Sequence, residues 1–213
     1  MFKPKIIIIA GHSGSGKSTV AVHLTTFLPN SKIICYDQFM YKAIISNPEI
    51  FEKLFDVPID TDCGHSYMIK VINEGKMTFI NHRIFCETVL PYVESEATVE
   101  LEKIKREHKY DFIITEWGGS SSFKKLWKNA CFRIHVKPAS DEMHEFMLAK
   151  RSDREGANEQ AKEEARIRRD SIRHLIDYAQ NVDFTIINSY DQSLFEDIKE
   201  CAYIIKDFKK CEK

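Results

Sequence analysis

The sequence predicts an α/β fold, a five-stranded parallel sheet flanked by helices, and three observations carry that prediction. Five short runs rich in branched apolar residues (KIIIIA, KIICY, DFIITE, FRIHV and FTIIN) alternate with stretches of helical periodicity, the pattern of βαβ units. The 213 residues, 43% apolar and 30% charged, suit one domain with its own core. A glycine- and serine-rich turn separates the first apolar run from the first helical stretch.

Taken in order, Lys5 to Ala10 reads as a strand buried on both faces, because an unbroken β-branched run has no solvent side. Lys17 to Leu28 follows as a helix with Val20, Leu24, Phe27 and Leu28 on one face, stopped by Pro29 and Asn30. Lys32 to Tyr36 is the second strand and delivers Asp37 into a loop. From about residue 39 to 109 the pattern is helical and strandless, with breaks at Pro48, Pro58, Gly64 and Gly75 and with Pro91 within or opening a long amphipathic stretch. Substrate specificity is expected in this insert. Asp111 to Glu116, Phe132 to Val136 and Phe184 to Asn188 are the remaining strands. Helices are expected at Asp141 to Lys150, about 160 to 179, and Ser193 to Lys209. No repeat or linker divides the chain, so the expected organisation is one domain over residues 1–213, with the insert at 39–109 and a lid at about 151–165.

Charge narrows the partners. Lysine and arginine total 31 against 32 acidic residues, a net charge of -1, which gives no broad surface for nucleic acid or anionic lipid. The first apolar run is too short for a signal-peptide core or a membrane span. Six cysteines without a C-x-x-C pair read as reduced thiols, and the expectation is a soluble, cytoplasmic protein, a monomer or small homo-oligomer. The histidines suggest no metal site: His65 follows Cys63 by two residues with no second such pair, and His12 lies in the glycine-rich turn.

That turn carries the chemistry. Gly11, His12, Ser13, Gly14, Ser15, Gly16, Lys17 and Ser18 satisfy G-x-x-x-x-G-K-[ST], with Thr19 following. Glycines let backbone N–H groups close around a β-phosphate, and the helix beginning at Lys17 presents its positive dipole end. Lys17 is placed to reach the β- and γ-phosphates and the Ser18 hydroxyl to ligate Mg²⁺. The pattern lies between a buried strand and an amphipathic helix, the context such a loop requires. No N-K-x-D guanine-reading loop and no ABC signature peptide accompany it, which leaves a small phosphotransferase binding ATP.

Other residues complete the expected site. Asp37, at the carboxyl end of the second strand, suits a base for an acceptor hydroxyl and a partner of Mg²⁺; capping the next helix is its competing role. Glu116 ends the third strand, as a Mg²⁺ partner through water or as a solvated strand end. Six of the nine arginines fall between Arg151 and Arg173. Arg151 and Arg154 are expected on a lid that closes over the phosphates, whereas Arg166, Arg168, Arg169 and Arg173 either meet substrate or pair with Glu163, Glu164 and Asp170 on a helix face. Asn188 either reads the adenine edge or forms a turn.

With these motifs in place the chain resembles the dephospho-coenzyme A kinase family, within the wider group of nucleoside and nucleotide kinases. GHSGSGKST resembles its glycine-rich loop, Tyr36-Asp37 its acidic strand end, and Asn73-Glu74-Gly75 precedes a helical arm with Arg83 and Pro91. DFIITE, Arg166 to Asp170 and Val182 to Asn188 resemble its third strand, lid helix and final strand. The resemblance implies a three-layer P-loop kinase fold and transfer of the ATP γ-phosphoryl group to the ribose 3′-hydroxyl of dephospho-coenzyme A with Mg²⁺. Ile34 to Phe39 also resembles the acidic strand end of uridine and ribosylnicotinamide kinases, so a nucleoside or nucleoside monophosphate is the alternative acceptor. A non-catalytic ATP-binding module is the reading from a different class.

Overall fold

A computed structural model describes residues 3–118, 124–159, 162–163, 166 and 181–208. The elements are β1 (Lys5–Ala10), α1 (Lys17–Phe27), β2 (Ser31–Cys35), α2 (Asp37–Ser46), α3 (Pro48–Phe55), α4 (Gly64–Asn73), α5 (Phe79–Glu107), β3 (Phe112–Glu116), α6 (Lys124–Asn129), β4 (Phe132–Pro138), α7 (Asp141–Arg154), β5 (Phe184–Asn188) and α8 (Ser193–Asp207). They divide into two compact units. The first holds residues 1–35, 100–144 and 177–213; the second holds 36–99 and 145–176.

In the first unit all five strands form one parallel sheet in the order β2-β3-β1-β4-β5. β1 is central because Ile7, Ile8 and Ile9 have no solvent exposure at all, and only a strand flanked by two others and covered on both faces can hide them. Alternation sorts its side chains. Ile7 and Ile9 join Val20, Leu24 and Leu28 of the α1 segment and Leu194, Ile198 and Ile205 of α8 in the main core. Ile6 and Ile8 face the other way, onto Leu126 and Trp127 of α6. Helices on both faces make the three-layer α/β fold that the alternating runs predict. Lys5 ties strand to helix by donating its Nζ to the last carbonyls of α8, at Ile205, Lys206 and Phe208.

The second unit is helical among its described residues. Pro48 opens α3, where its missing N–H costs nothing, and Gly75 follows α4 at φ 68°, a left-handed turn that suits glycine. Its core is aromatic: Phe51 and Phe55 pack edge-on or tilted against Phe85, and Tyr67 donates its buried hydroxyl to the carbonyls of Phe51 and Val57. Pro91 sits inside the 29-residue α5 without ending it.

Several boundaries differ from the sequence reading. β4 runs two residues past Val136 because Lys137 and Pro138 pair with Ile187 and Asn188. α7 extends to Arg154, since nothing breaks it before Gly156 at φ 75°. Cys131 is disulfide-bonded, against the expectation of reduced thiols throughout, because spacing along the chain does not report proximity in space; Cys35, Cys63, Cys86 and Cys201 form no disulfide. The helix expected at about 160–179 lies mostly outside the described residues. No helix among the described residues is long and apolar enough to cross a membrane.

Two substitutions on α1 test the core assignment by urea unfolding. Leu24→Ala removes a fully buried side chain and is expected to cost about 3 kcal/mol. Val22→Ala, at a 58% exposed position of the same helix, is expected to cost about 0.5 kcal/mol or less.

Candidate active site

The topological switch point lies between β1 and β3, because the connection from β1 leads to β2 on one side of the sheet and that from β3 leads to β4 on the other. In an open α/β sheet the crevice beyond the carboxyl ends of such strands is where ligands bind. The 11–16 turn emerges there. Gly11, Gly14 and Gly16 have φ of 149°, 75° and 95°, values that side-chain-bearing residues rarely adopt. Neighbours impose the same requirement. A Cβ on Gly11 would lie 2.2 Å from the Val136 carbonyl, and one on Gly16 2.2 Å from the Asn188 amide nitrogen.

Gly16 is also the N-cap of α1, in the left-handed region, and gives no side-chain hydrogen bond to the helix start. The first turn contains no acidic residue. The helix therefore presents backbone N–H groups and dipole with no built-in anion to neutralise them, which is what a phosphate requires. Lys17 Nζ donates to the His12 carbonyl at 2.8 Å, folding the lysine over the loop, and Ser15 N–H donates to the same carbonyl at 3.2 Å. Ser18 and Thr19 are exposed.

Three side chains support the loop from elements outside it. His144 Nε2, on α7, donates to the Ser13 carbonyl at 2.7 Å. Tyr190 Oη donates to the Gly14 carbonyl at 2.7 Å, and Asn188 Nδ2 donates to the Ser15 carbonyl at 2.8 Å. Asn188 Oδ1 accepts from Tyr190 N–H at 2.8 Å, so both ends of this buried amide are engaged within the protein. The bond from Tyr190 N–H, two residues on, is an Asx turn, the turn-forming alternative for Asn188, and the bond to Ser15 adds a contact with the loop. His144 and Tyr190 carried no sequence signal: one reads as an ordinary helix residue and the other as a turn aromatic.

Glu116 is level with Ile9 of β1 and Cys35 of β2 and only 4% exposed, so it is a buried strand-end carboxylate rather than a solvated one. After it, Trp117 N–H reaches the Ile9 carbonyl, and Gly118 comes near Gly11. The hydroxyl of Ser18 and the carboxylate of Glu116 are hard oxygen donors, a set that suits Mg²⁺, which keeps several of its own waters and needs few protein ligands.

In the second unit, Asp37 is the first residue of α2 rather than a loop residue. Tyr36, with helical φ and ψ and no side-chain capping bond, occupies the N-cap, so Asp37 does not serve as the cap. Arg151 and Arg154 lie in the last turn of α7, not in a loop after it. Arg151 Nε donates to Glu155 Oε1 at 2.6 Å. Burial works against its charge, but the bond to Glu155 and the negative charges of Glu155 and Asp37 more than offset that and raise its pKa. The same neighbourhood holds His65, whose Nε2 is 3.9 Å from Glu155 and whose ring meets Tyr41 edge-on. Arg154 is exposed. Arg166, also exposed, pairs with Glu163, the helix-face alternative for that residue, while Arg168, Arg169 and Arg173 lie outside the described residues.

The chain superposes on solved structures along nearly its whole length. The fold is that of the P-loop kinases. TT1252 from Thermus thermophilus superposes with a TM-score of 0.64 at 18% identity, covering 97% of this chain and 99% of its own. Dephospho-CoA kinase from Campylobacter jejuni superposes at 0.53 and 15% identity, covering 97% and 98%. In sequence, a uridine kinase of Borrelia hermsii is 38% identical over 93 residues, 40% of this chain and 45% of that enzyme, so the chain matches less than half of its length. No family model matches the chain. The P-loop kinase fold is thus established, whereas membership of the dephospho-CoA kinase family goes no further than the likeness of motifs.

The steric reading of Gly16 predicts a specific loss. Gly16→Ala places a methyl against Asn188 at positive φ and is expected to weaken MgATP binding about tenfold or more in calorimetry, the size of about 1–3 kcal/mol of local strain. Gly75→Ala, at φ 68° in the second unit, carries backbone strain without touching the loop and is expected to leave MgATP affinity within about twofold of wild type.

Proposed function

We propose that the protein is an ATP-dependent kinase that phosphorylates a hydroxyl group of a small molecule. The observation that carries this reading is the phosphate loop: three glycines at positive φ at the switch point of the sheet, leading into a helix start with no side chain or acid to fill it. The loop amides and Lys17 hold the β- and γ-phosphates. Ser18, Asp37 and Glu116 are the candidate oxygen donors for Mg²⁺, which when bound offsets phosphate charge.

The reaction follows from charge and proton balance. The acceptor oxygen bonds to the γ-phosphorus as the bond from that phosphorus to the β,γ-bridging oxygen breaks, and ADP departs. The acceptor proton goes to Asp37, the carboxylate just beyond β2. Arg151 and Arg154 supply positive charge to the transferring group. Arg151 pairs with Glu155 and lies within electrostatic reach of Asp37, which supports its place in the same chemistry.

Two acceptors compete. The order of motifs supports the ribose 3′-hydroxyl of dephospho-coenzyme A. The partial match to a uridine kinase supports a nucleoside hydroxyl. Both preserve the donor side and Asp37, and differ only in what the second unit must recognise.

A coupled ADP-release assay with dephospho-coenzyme A, nucleosides and nucleoside monophosphates separates these readings. Turnover with one acceptor names its class. Silence across the panel with MgATP binding intact contradicts the kinase and leaves a nucleotide-binding module. With the active acceptor, Asp37→Asn is expected to lower kcat by about 10² or more while MgATP affinity stays within a few-fold, and wild-type turnover in that variant removes the base assignment.

A further inference from the structure

The phosphate loop is braced by side chains that its sequence motif does not include. We propose that His144, Asn188 and Tyr190 are positioning residues that fix the loop in its anion-accepting shape before nucleotide arrives. The inference rests on the nucleotide-binding reading above and concerns how that site is made.

Three successive carbonyls, those of Ser13, Gly14 and Ser15, each accept one hydrogen bond, and each donor comes from a different side chain on α7, at the end of β5 or just beyond it. A carbonyl only accepts, so His144 Nε2 carries the proton. In a planar trans peptide the C=O of one residue and the N–H of the next point in opposite directions. Tying back the Ser13 and Ser15 carbonyls therefore directs the N–H groups of Gly14 and Gly16 to the other side of the loop. Tying back the Gly14 carbonyl does the same for Ser15 N–H, which closes the loop on the His12 carbonyl. Glycine peptides released from such bonds are free to flip, and a flipped plane would turn a carbonyl oxygen towards phosphate, where it repels.

The braces are themselves tightly held. His144 has no solvent exposure and Asn188 is 1% exposed. Tyr190 has φ 58°, a left-handed conformation uncommon for an aromatic residue, and is kept there by its N–H on Asn188 Oδ1 and its hydroxyl on Gly14. The hydroxyl lies in a desolvated setting that pushes its pKa upward, so it remains a protonated donor near neutral pH. Ordering of the loop is thereby met by folding instead of by ligand binding, which raises affinity for any polyphosphate without a new contact to it.

Calorimetric titration with MgATP and, separately, with inorganic tripolyphosphate tests the proposal. Tyr190→Phe removes one hydrogen bond at constant shape and is expected to weaken both probes by about fivefold, the equivalent of one net hydrogen bond. His144→Ala is expected to do at least as much, and His144→Gln, whose amide N–H₂ can reach the same carbonyl, to recover most of it. A purely structural role would lower the melting temperature and leave affinities of the folded protein unchanged. Unchanged affinity of Tyr190→Phe for both probes overturns the proposal, as does weakening confined to MgATP, which would place the effect on the nucleoside. If His144→Ala does not fold, Tyr190→Phe still decides. A wild-type protein that binds neither probe contradicts the nucleotide site itself, and with it this proposal.

Discussion

Close packing against the glycines of the turn after β1 is the constraint on which the rest of the molecule depends. Gly11 lies so near the Val136 carbonyl that no side chain fits, and Gly16 is equally tight against Asn188. Only glycine tolerates both the proximity and the positive φ found at these positions. The sheet contributes by burying β1 from Ile6 to Ala10, so that the turn leaves from a rigid base rather than from a frayed edge. Rigidity there converts a flexible glycine-rich segment into a defined array of donors, and an array of donors without an internal acid is a site for anions.

Support for that array is distributed across the chain. Asn188 belongs to β5 and Tyr190 to the turn after it, more than 170 residues from the carbonyls they hold. Long-range bonds of this kind are paid for by the hydrophobic assembly of β1, β4, β5, α1 and α8 around Ile7, Ile9, Ile134 and Ile186. Core packing and the shape of the loop are therefore coupled: a cavity among these residues would loosen the bonds to the loop carbonyls as well as lower stability.

Much of the fold was legible in the sequence because buried parallel strands leave an unambiguous mark. β1 and β5 have the bounds that their β-branched runs predict, and the Gly11 to Ser18 motif lies between strand and helix as expected. Legibility ended where tertiary structure overrides local pattern. Lys137 and Pro138 look like the end of a strand but are held by pairing to β5, and Arg151 and Arg154 look like loop residues but complete a helix whose stop is Gly156. Asn188 was visible as a polar strand end, yet its partner is a carbonyl 173 residues away, which no spacing rule reports. His144 left no trace at all, since a histidine in a helix is chemically unremarkable until its neighbour is known. Asp37 lay between those extremes: its position after β2 marked it, while its place on α2 and its electrostatic link to Arg151 needed the structure.

In the proposed function the loop holds a polyphosphate through its backbone and Lys17. Equilibrium binding of ATP, ADP and AMP to the wild-type protein, compared at one salt concentration, tests it most directly. A loop built around the β-phosphate predicts that ATP and ADP bind at least about tenfold more tightly than AMP, since AMP lacks the group that the amides enclose and charge-assisted hydrogen bonds are the strong ones. Equal affinity for all three would contradict a polyphosphate site in the loop, because recognition would then lie in the nucleoside.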